Sequence, residues 1–199
     1  MNQEGFVIFP PYEVFYMESM LFITESALRS VKAANEDLQK MDDATVGFSQ
    51  DKTLNHLQNV IVQGAALSKY FWPPTNSRDG RSKEHKMRGE ALQSAFDVIE
   101  TSPLKSRDLR NEIEHFDEKL DNYLASGIAG HIIPHYIGPF ADSGGIPCHY
   151  FRAYYTDQGI FEVLGKRYVI NPIVAEIARI HKLLEKACTS EGRLPKSSR

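Results

Sequence analysis

The sequence predicts a mainly α-helical chain: a four-helix bundle, then a small C-terminal β-hairpin and a final helix. Three observations predict it. Four long segments before Gly127 repeat apolar residues at spacings of three and four, as a buried helical face requires. Proline, glycine and short polar stretches punctuate these segments. After Gly127 the chain turns rich in Gly, Pro, aromatic and β-branched residues, which favours extended structure.

The first helix is expected over about 12–39, after the apolar lead-in "FVIFP", with Phe15, Met20, Leu21, Ile23, Ala27, Leu28 and Val31 supplying apolar positions. "KMDDATVGFSQD" reads as a loop whose Ser49 or Asp51 caps the next helix. That helix carries the stripe Leu54, Leu57, Ile61, Ala65 and Leu67, and Pro73 and Pro74 end it because proline cannot continue the hydrogen-bond ladder. "PPTNSRDGRSKEHK" is expected as a basic loop, and "KMRGEALQSAFDVIET" as a third helix with Leu92, Phe96 and Ile99 on one side. A fourth helix follows Ser102, a natural N-cap, with Pro103 where its missing N–H costs nothing and Gly127 as its stop. Residues 127–151 read as loop with short extended pieces, and 151–171 as a β-hairpin or small meander turning at Asp157-Gln158-Gly159 and at Gly165-Lys166. The last helix starts after Asn171 and carries Ile173, Ile177, Ile180 and Leu184. The expected organisation is one domain over 1–199: a bundle over 12–125, the hairpin and last helix over 128–188 packed on it, and a disordered tail over 189–199.

The net charge of −3 argues against a general nucleic-acid coat, which needs many phosphate-neutralising cations, but leaves room for a local RNA site. Cys148 and Cys188 stand far apart outside any Cys-x-x-Cys pair, as buried thiols in a reducing compartment do. The first twenty residues lack the basic, then apolar, pattern of a signal peptide. No uncharged apolar run reaches the roughly 20 residues of a membrane helix. A cytoplasmic protein without membrane contact is expected.

The segment "DLRNEIEHFDEKL", residues 108–120, stands out. On a continuous helix, Leu109, Ile113, Phe116, Leu120 and Leu124 share a narrow core-facing sector with Tyr123 at its edge. Asn111 and His115, an i, i+4 pair, then point the opposite way, and Arg110 lies beside the stripe. From the residues alone two readings stand: a polar cluster with chemistry, or an ordinary face in which Arg110 pairs with Glu114 and His115 meets solvent or an oligomer seam.

"RNEIEH" resembles the arginine, four residues, histidine motif of the HEPN superfamily, which also lies late in a bundle of about four helices. "LRNEIEHFDEKLD" further resembles uncharacterised bacterial proteins with an LRN…EHFDERL signature. The resemblance implies a four-helix HEPN-like fold and a metal-independent RNA endonuclease of toxin or defence type, with no cofactor and a site assembled across a homodimer. It casts Arg110, Asn111 and His115 as catalytic residues. His115 would move protons at the ribose 2′-OH or the leaving oxygen, since histidine titrates near neutrality. Arg110 would hold the scissile phosphate with its donor fork, and Asn111 would orient His115 or the phosphate. An antitoxin or a defence-complex subunit is the implied partner. The tyrosine that some family toxins carry two residues after the histidine is Asp117 here. A non-catalytic HEPN-like interaction or nucleotide-binding module is the alternative the resemblance leaves open.

Other candidates are weaker. Arg78, Arg81, Lys83, Lys86 and Arg88 form a basic stretch able to grip RNA or simply to sit in solvent. His131 and His135 have zinc-like i, i+4 spacing, with His149 nearby, but Pro134 spoils a helical site. "DSGG" at 142–145 lacks both the phosphate-loop and the nucleophile-elbow patterns.

Overall fold

The computed structural model describes residues 7–41, 47–74, 81–106, 108, 111, 115–140, 144–190 and 192–195. The chain is mainly helical with a small β element, as expected. In order, the elements are α1 (Pro10–Leu38), α2 (Gln50–Phe71), α3 (Ser82–Ala95), a 3-10 turn (Pro103–Lys105), α4 (Phe116–Ala125), β1 (His131–Gly138), β2 (Cys148–Tyr155), β3 (Ile160–Val163), β4 (Lys166–Val169) and α5 (Asn171–Ser190).

Local chemistry explains several ends. Ser49 caps α2, its hydroxyl accepting from the Lys52 amide at 3.4 Å. Pro10 and Pro11 open α1, where their fixed φ suits the first turn. Ser102 caps its proline as expected, but what it caps is a single 3-10 turn. Ser106 then adopts extended backbone, φ −60° and ψ 126°. The continuous helix expected from 104 to 124 is therefore interrupted at Ser106 and at His115: Asp108 and Asn111 are helical, and helix α4 starts at Phe116. Helix α3 is also displaced. It starts at Ser82, inside the expected basic loop, and Asp97, at φ 49°, turns the chain just past its end.

One apolar cluster joins Met17, Met20 and Ala27 of α1 to Val60, Leu67 and Phe71 of α2, Leu92 of α3, and Ile177, Ile180 and Leu184 of α5. The final helix was expected to pack on the bundle through its isoleucine–leucine stripe, and Ile177, Ile180 and Leu184 of that stripe lie within this cluster. The core face of α1 also differs from expectation. It runs Glu13, Met17, Met20, Thr24, Ala27, Ser30 and Ala34, while Phe15 is 74% exposed. Small and polar residues occupy this seam because their polar atoms are satisfied there. Thr24 donates to the Met20 carbonyl at 2.9 Å and meets His181 Nδ1 at 3.0 Å, and Asn59 donates to Ser30 at 2.8 Å. Ile99 and Leu124, also expected inside, are exposed.

The β element is larger than the expected hairpin. It is a four-stranded mixed sheet in the order β1-β2-β3-β4. The β2-β3-β4 meander turns where the sequence placed its turns, but β1 pairs parallel to β2, with His131 opposite Cys148 and Gly138 opposite Tyr155. Pro134 is tolerated because β1 is an edge strand. One sheet face supplies Ile137, Tyr154, Phe161 and Val163 to a second cluster with Ala34 of α1 and Leu54, Leu57 and Ile61 of α2. Helix α4 packs here too, through Phe116, Leu120 and Tyr123.

Glycine is demanded at position 89. A Cβ there would lie 2.7 Å from both the Phe71 carbonyl oxygen and Pro73 Cδ. Helix propensity alone favours Ala over Gly by about 1 kcal/mol. The clash with backbone reverses the sign, so Gly89→Ala is expected to destabilise the fold by about 1–3 kcal/mol in urea unfolding. A gain in stability would show that the α2–α3 junction yields freely.

The expected tail begins differently as well. Thr189 and Ser190 still belong to α5, and Arg193 and Leu194 are bonded to Glu13. Residues 196–199 lie outside the described residues.

Candidate functional site

The segment 108–120 sits at the junction between the 3-10 turn and α4. Arg110 lies outside the described residues, as do Leu109 and Ile113. Asn111 is half-buried and His115 exposed. The His115 amide donates to the Asn111 carbonyl at 3.1 Å, and the His115 carbonyl accepts from Lys119 N at 3.0 Å. His115 itself leaves helical geometry, at φ −115° and ψ 38°, and forms the N-cap position of α4. The Asn111 carbonyl and the His115 amide are thus linked across four residues through the backbone.

A tertiary contact pins this junction. The Arg152 guanidinium lies over the Phe116 ring at 4.5 Å, while its Nε donates to Gln58 at 2.6 Å. The acids around the motif also gain a local reason. Asp117 and Glu118 occupy the first turn of α4, where the helix dipole favours negative charge. Glu118 lies 3.9 Å from His115 Nδ1, with both side chains largely in solvent.

Between the junction and β4 is an open cavity of about 560 Å³, lined by Asp108, Asn111, Lys119, Lys166, Arg167 and Tyr168. Among the described residues it gathers three cations and one carboxylate around Asn111. The two β4 cations arrive by way of a tight turn in which Leu164 (φ 47°) and Gly165 (φ 78°) both take left-handed backbone, the pattern of a type I′ hairpin. Arg167 is fixed from behind. Its Nε donates to Glu162 at 2.7 Å, and its guanidinium lies over Phe140 at 4.7 Å and Tyr155 at 5.5 Å. Glu162 is buried and also accepts from the Tyr155 hydroxyl at 2.9 Å. Burial first, then the bond to Glu162, push the Tyr155 phenol well above its ordinary pKa, so it remains a donor. Lys119 lies within the segment singled out in the sequence, whereas Lys166 and Arg167 do not. They read only as a hairpin turn, and the one available signal was two consecutive cations after Gly165.

The remaining sequence candidates are dispersed. Lys83, Lys86 and Arg88 lie on α3 rather than in a loop, and Arg78 is outside the described residues. His135 Nδ1 is 2.6 Å from Asp51, and His149 Nδ1 is 2.6 Å from the Tyr123 hydroxyl. Among the described residues no three His, Cys, Asp or Glu side chains cluster as metal ligands. Cys148 and Cys188 are free thiols, half-buried rather than buried. No helix among the described residues is long and apolar enough to cross a membrane.

No family model, no characterised protein and no solved structure matches the chain.

Proposed function

We propose that the protein is a metal-independent RNA endonuclease of HEPN toxin or defence type, built on a HEPN-like helical bundle and acting as a homodimer. The observation that supports it is the cleft in which Lys119, Lys166 and Arg167 converge beside Asn111. Phosphodiester chemistry without a metal needs fixed positive charge around the scissile group and a proton-transfer group beside it. In this reading the three cations hold phosphates of a single RNA strand, and Arg110 binds the reacting one. His115, one turn before Lys119, takes the 2′-hydroxyl proton as the 2′-oxygen bonds to phosphorus. The bond from phosphorus to the 5′-oxygen breaks, and the partner's His115 protonates the leaving oxygen. The product ends are a 2′,3′-cyclic phosphate and a 5′-hydroxyl. An antitoxin would silence the enzyme by covering the same cleft.

The test is cleavage of total RNA by the purified chain in EDTA. Wild type is expected to cut, and His115→Ala to cut about 100- to 10,000-fold more slowly, the usual worth of a general acid or base. A folded wild type that leaves RNA intact overturns the nuclease reading. A second reading, a non-catalytic HEPN-like interaction or nucleotide-binding module, is favoured by the exposure of the His115 side chain, 56%, with the Glu118 carboxylate 3.9 Å away. It predicts RNA retention without cleavage, weakened by Lys166→Ala and indifferent to His115→Ala.

A further inference from the structure

A second cavity, of about 670 Å³, opens between α1, α2 and α3 and shares no lining residue with the cleft beside Asn111. Its size falls within the range of small-molecule sites. Tyr16 and Tyr70 form its aromatic wall, their rings edge-on at 6.4 Å, and Phe15 stands exposed at the rim. Tyr70 is fixed by a 2.5 Å hydrogen bond between its hydroxyl and Ser19.

The formal charges among the described residues of the cavity, Lys69 and Arg88, are of one sign. Lys69, His85 and Arg88 line it, and no carboxylate does among the described residues. This is notable in a chain of net charge −3. Arg88 is the centre of the arrangement. Its guanidinium lies over Tyr16 at 5.7 Å and Tyr70 at 5.9 Å, and Nη2 donates to the Lys69 carbonyl at 3.2 Å. Its Nε is buried and meets no hydrogen-bond acceptor among the described residues. A guanidinium held against two rings and not neutralised by a carboxylate is a receptor for anionic oxygen. Aromatic walls favour a planar ring for the rest of the ligand.

We propose that this cavity binds a small aromatic anion, its ring against Tyr16 and Tyr70 and its carboxylate or phosphate at Arg88, with Lys69 and His85 on the same wall. The proposal is independent of the nuclease reading. An enzyme inactive on RNA still has this site, and an active one need not.

The test is calorimetric titration of the full chain with benzoate and with phenyl phosphate, beside phenol and inorganic phosphate as half-ligands. One of the two aromatic anions is expected to bind at least about tenfold tighter than either half-ligand, and which one distinguishes carboxylate from phosphate. Arg88→Met, which keeps the stem and removes the charge, is expected to weaken binding about tenfold or more. Ala66→Phe, which fills the cavity from α2, is expected to abolish it. Thermal melting establishes that each variant is folded, and Lys69→Met replaces any that is not. Failure of both aromatic anions to bind folded wild type at millimolar concentration overturns the proposal. So does binding that the folded variants leave unchanged.

Discussion

Ile180→Ala is expected to lower the unfolding free energy by about 2–5 kcal/mol, the range for deleting a fully buried aliphatic side chain and leaving a cavity. Ile180 has no exposed surface and lies in the cluster that joins α5 to α1, α2 and α3. The loss has two parts: the transfer energy of the removed methylenes and the contacts their neighbours no longer make. Urea unfolding measures it, as a lower midpoint with an unchanged slope. The experiment also decides between two architectures. If α5 were only loosely docked on the bundle, Ile180 would keep part of its surface in water. The loss would then fall to about 1 kcal/mol or less.

Glu13→Gln is expected to cost about 1–3 kcal/mol at neutral pH, because the carboxylate accepts three hydrogen bonds, two of them from a cation. Arg193 donates to it twice, at 2.8 and 2.9 Å, and the Leu194 amide a third time at 2.9 Å. Glu13 is buried, whereas half of the Arg193 side chain meets solvent, which keeps the effect below that of a fully buried pair. The glutamine amide can accept, but its NH₂ faces guanidinium donors where the second carboxylate oxygen stood. The pH dependence has a definite sign. The hydrogen bonds from Arg193, aided by the Leu194 amide, hold the Glu13 carboxyl below its ordinary pKa against the opposing effect of burial. A depressed carboxylate contributes its full stability above the unfolded-state value of about 4.3 and loses it as pH falls through the folded value. Wild type and Glu13→Gln are therefore expected to differ in melting temperature at pH 7 and to converge in strong acid. A difference independent of pH would place the effect in packing rather than in charge.

The candidate site was only partly legible in the sequence. Asn111 and His115 drew attention because polar, chemistry-bearing residues broke the monotony of a solvent face. Lys119 was visible in the same segment, but nothing local linked it to Lys166 and Arg167. They meet Asn111 only because β4 returns along β3 and brings its first residues toward α4. The buried Glu162 is equally illegible, since a glutamate in a strand reads as a solvent residue until Tyr155 and Arg167 are placed around it. Arg88 read as one more charge in a basic stretch. It became distinctive when α3 set it over two tyrosines of α1 and α2.

By itself the sequence determined what depends on neighbours along the chain. The Ser49 cap, the Pro73–Pro74 stop, the meander's turns and the isoleucine–leucine stripe of α5 are all local, and each formed where the residues placed it. The tertiary structure alone decided what depends on partners. Periodicity reports that a face is apolar but not what will cover it, so Phe15 looked buried and is not, while Thr24 and Ser30, which no apolar pattern marks, are buried. β1 emerged as a strand because β2 offered it a parallel edge across a connection of residues 139–147. The break at His115 follows from the same cause. Residues 104–124 have helical periodicity throughout, but His115 leaves helical geometry where Phe116 packs under Arg152, a residue thirty-six positions further on that the local pattern does not report.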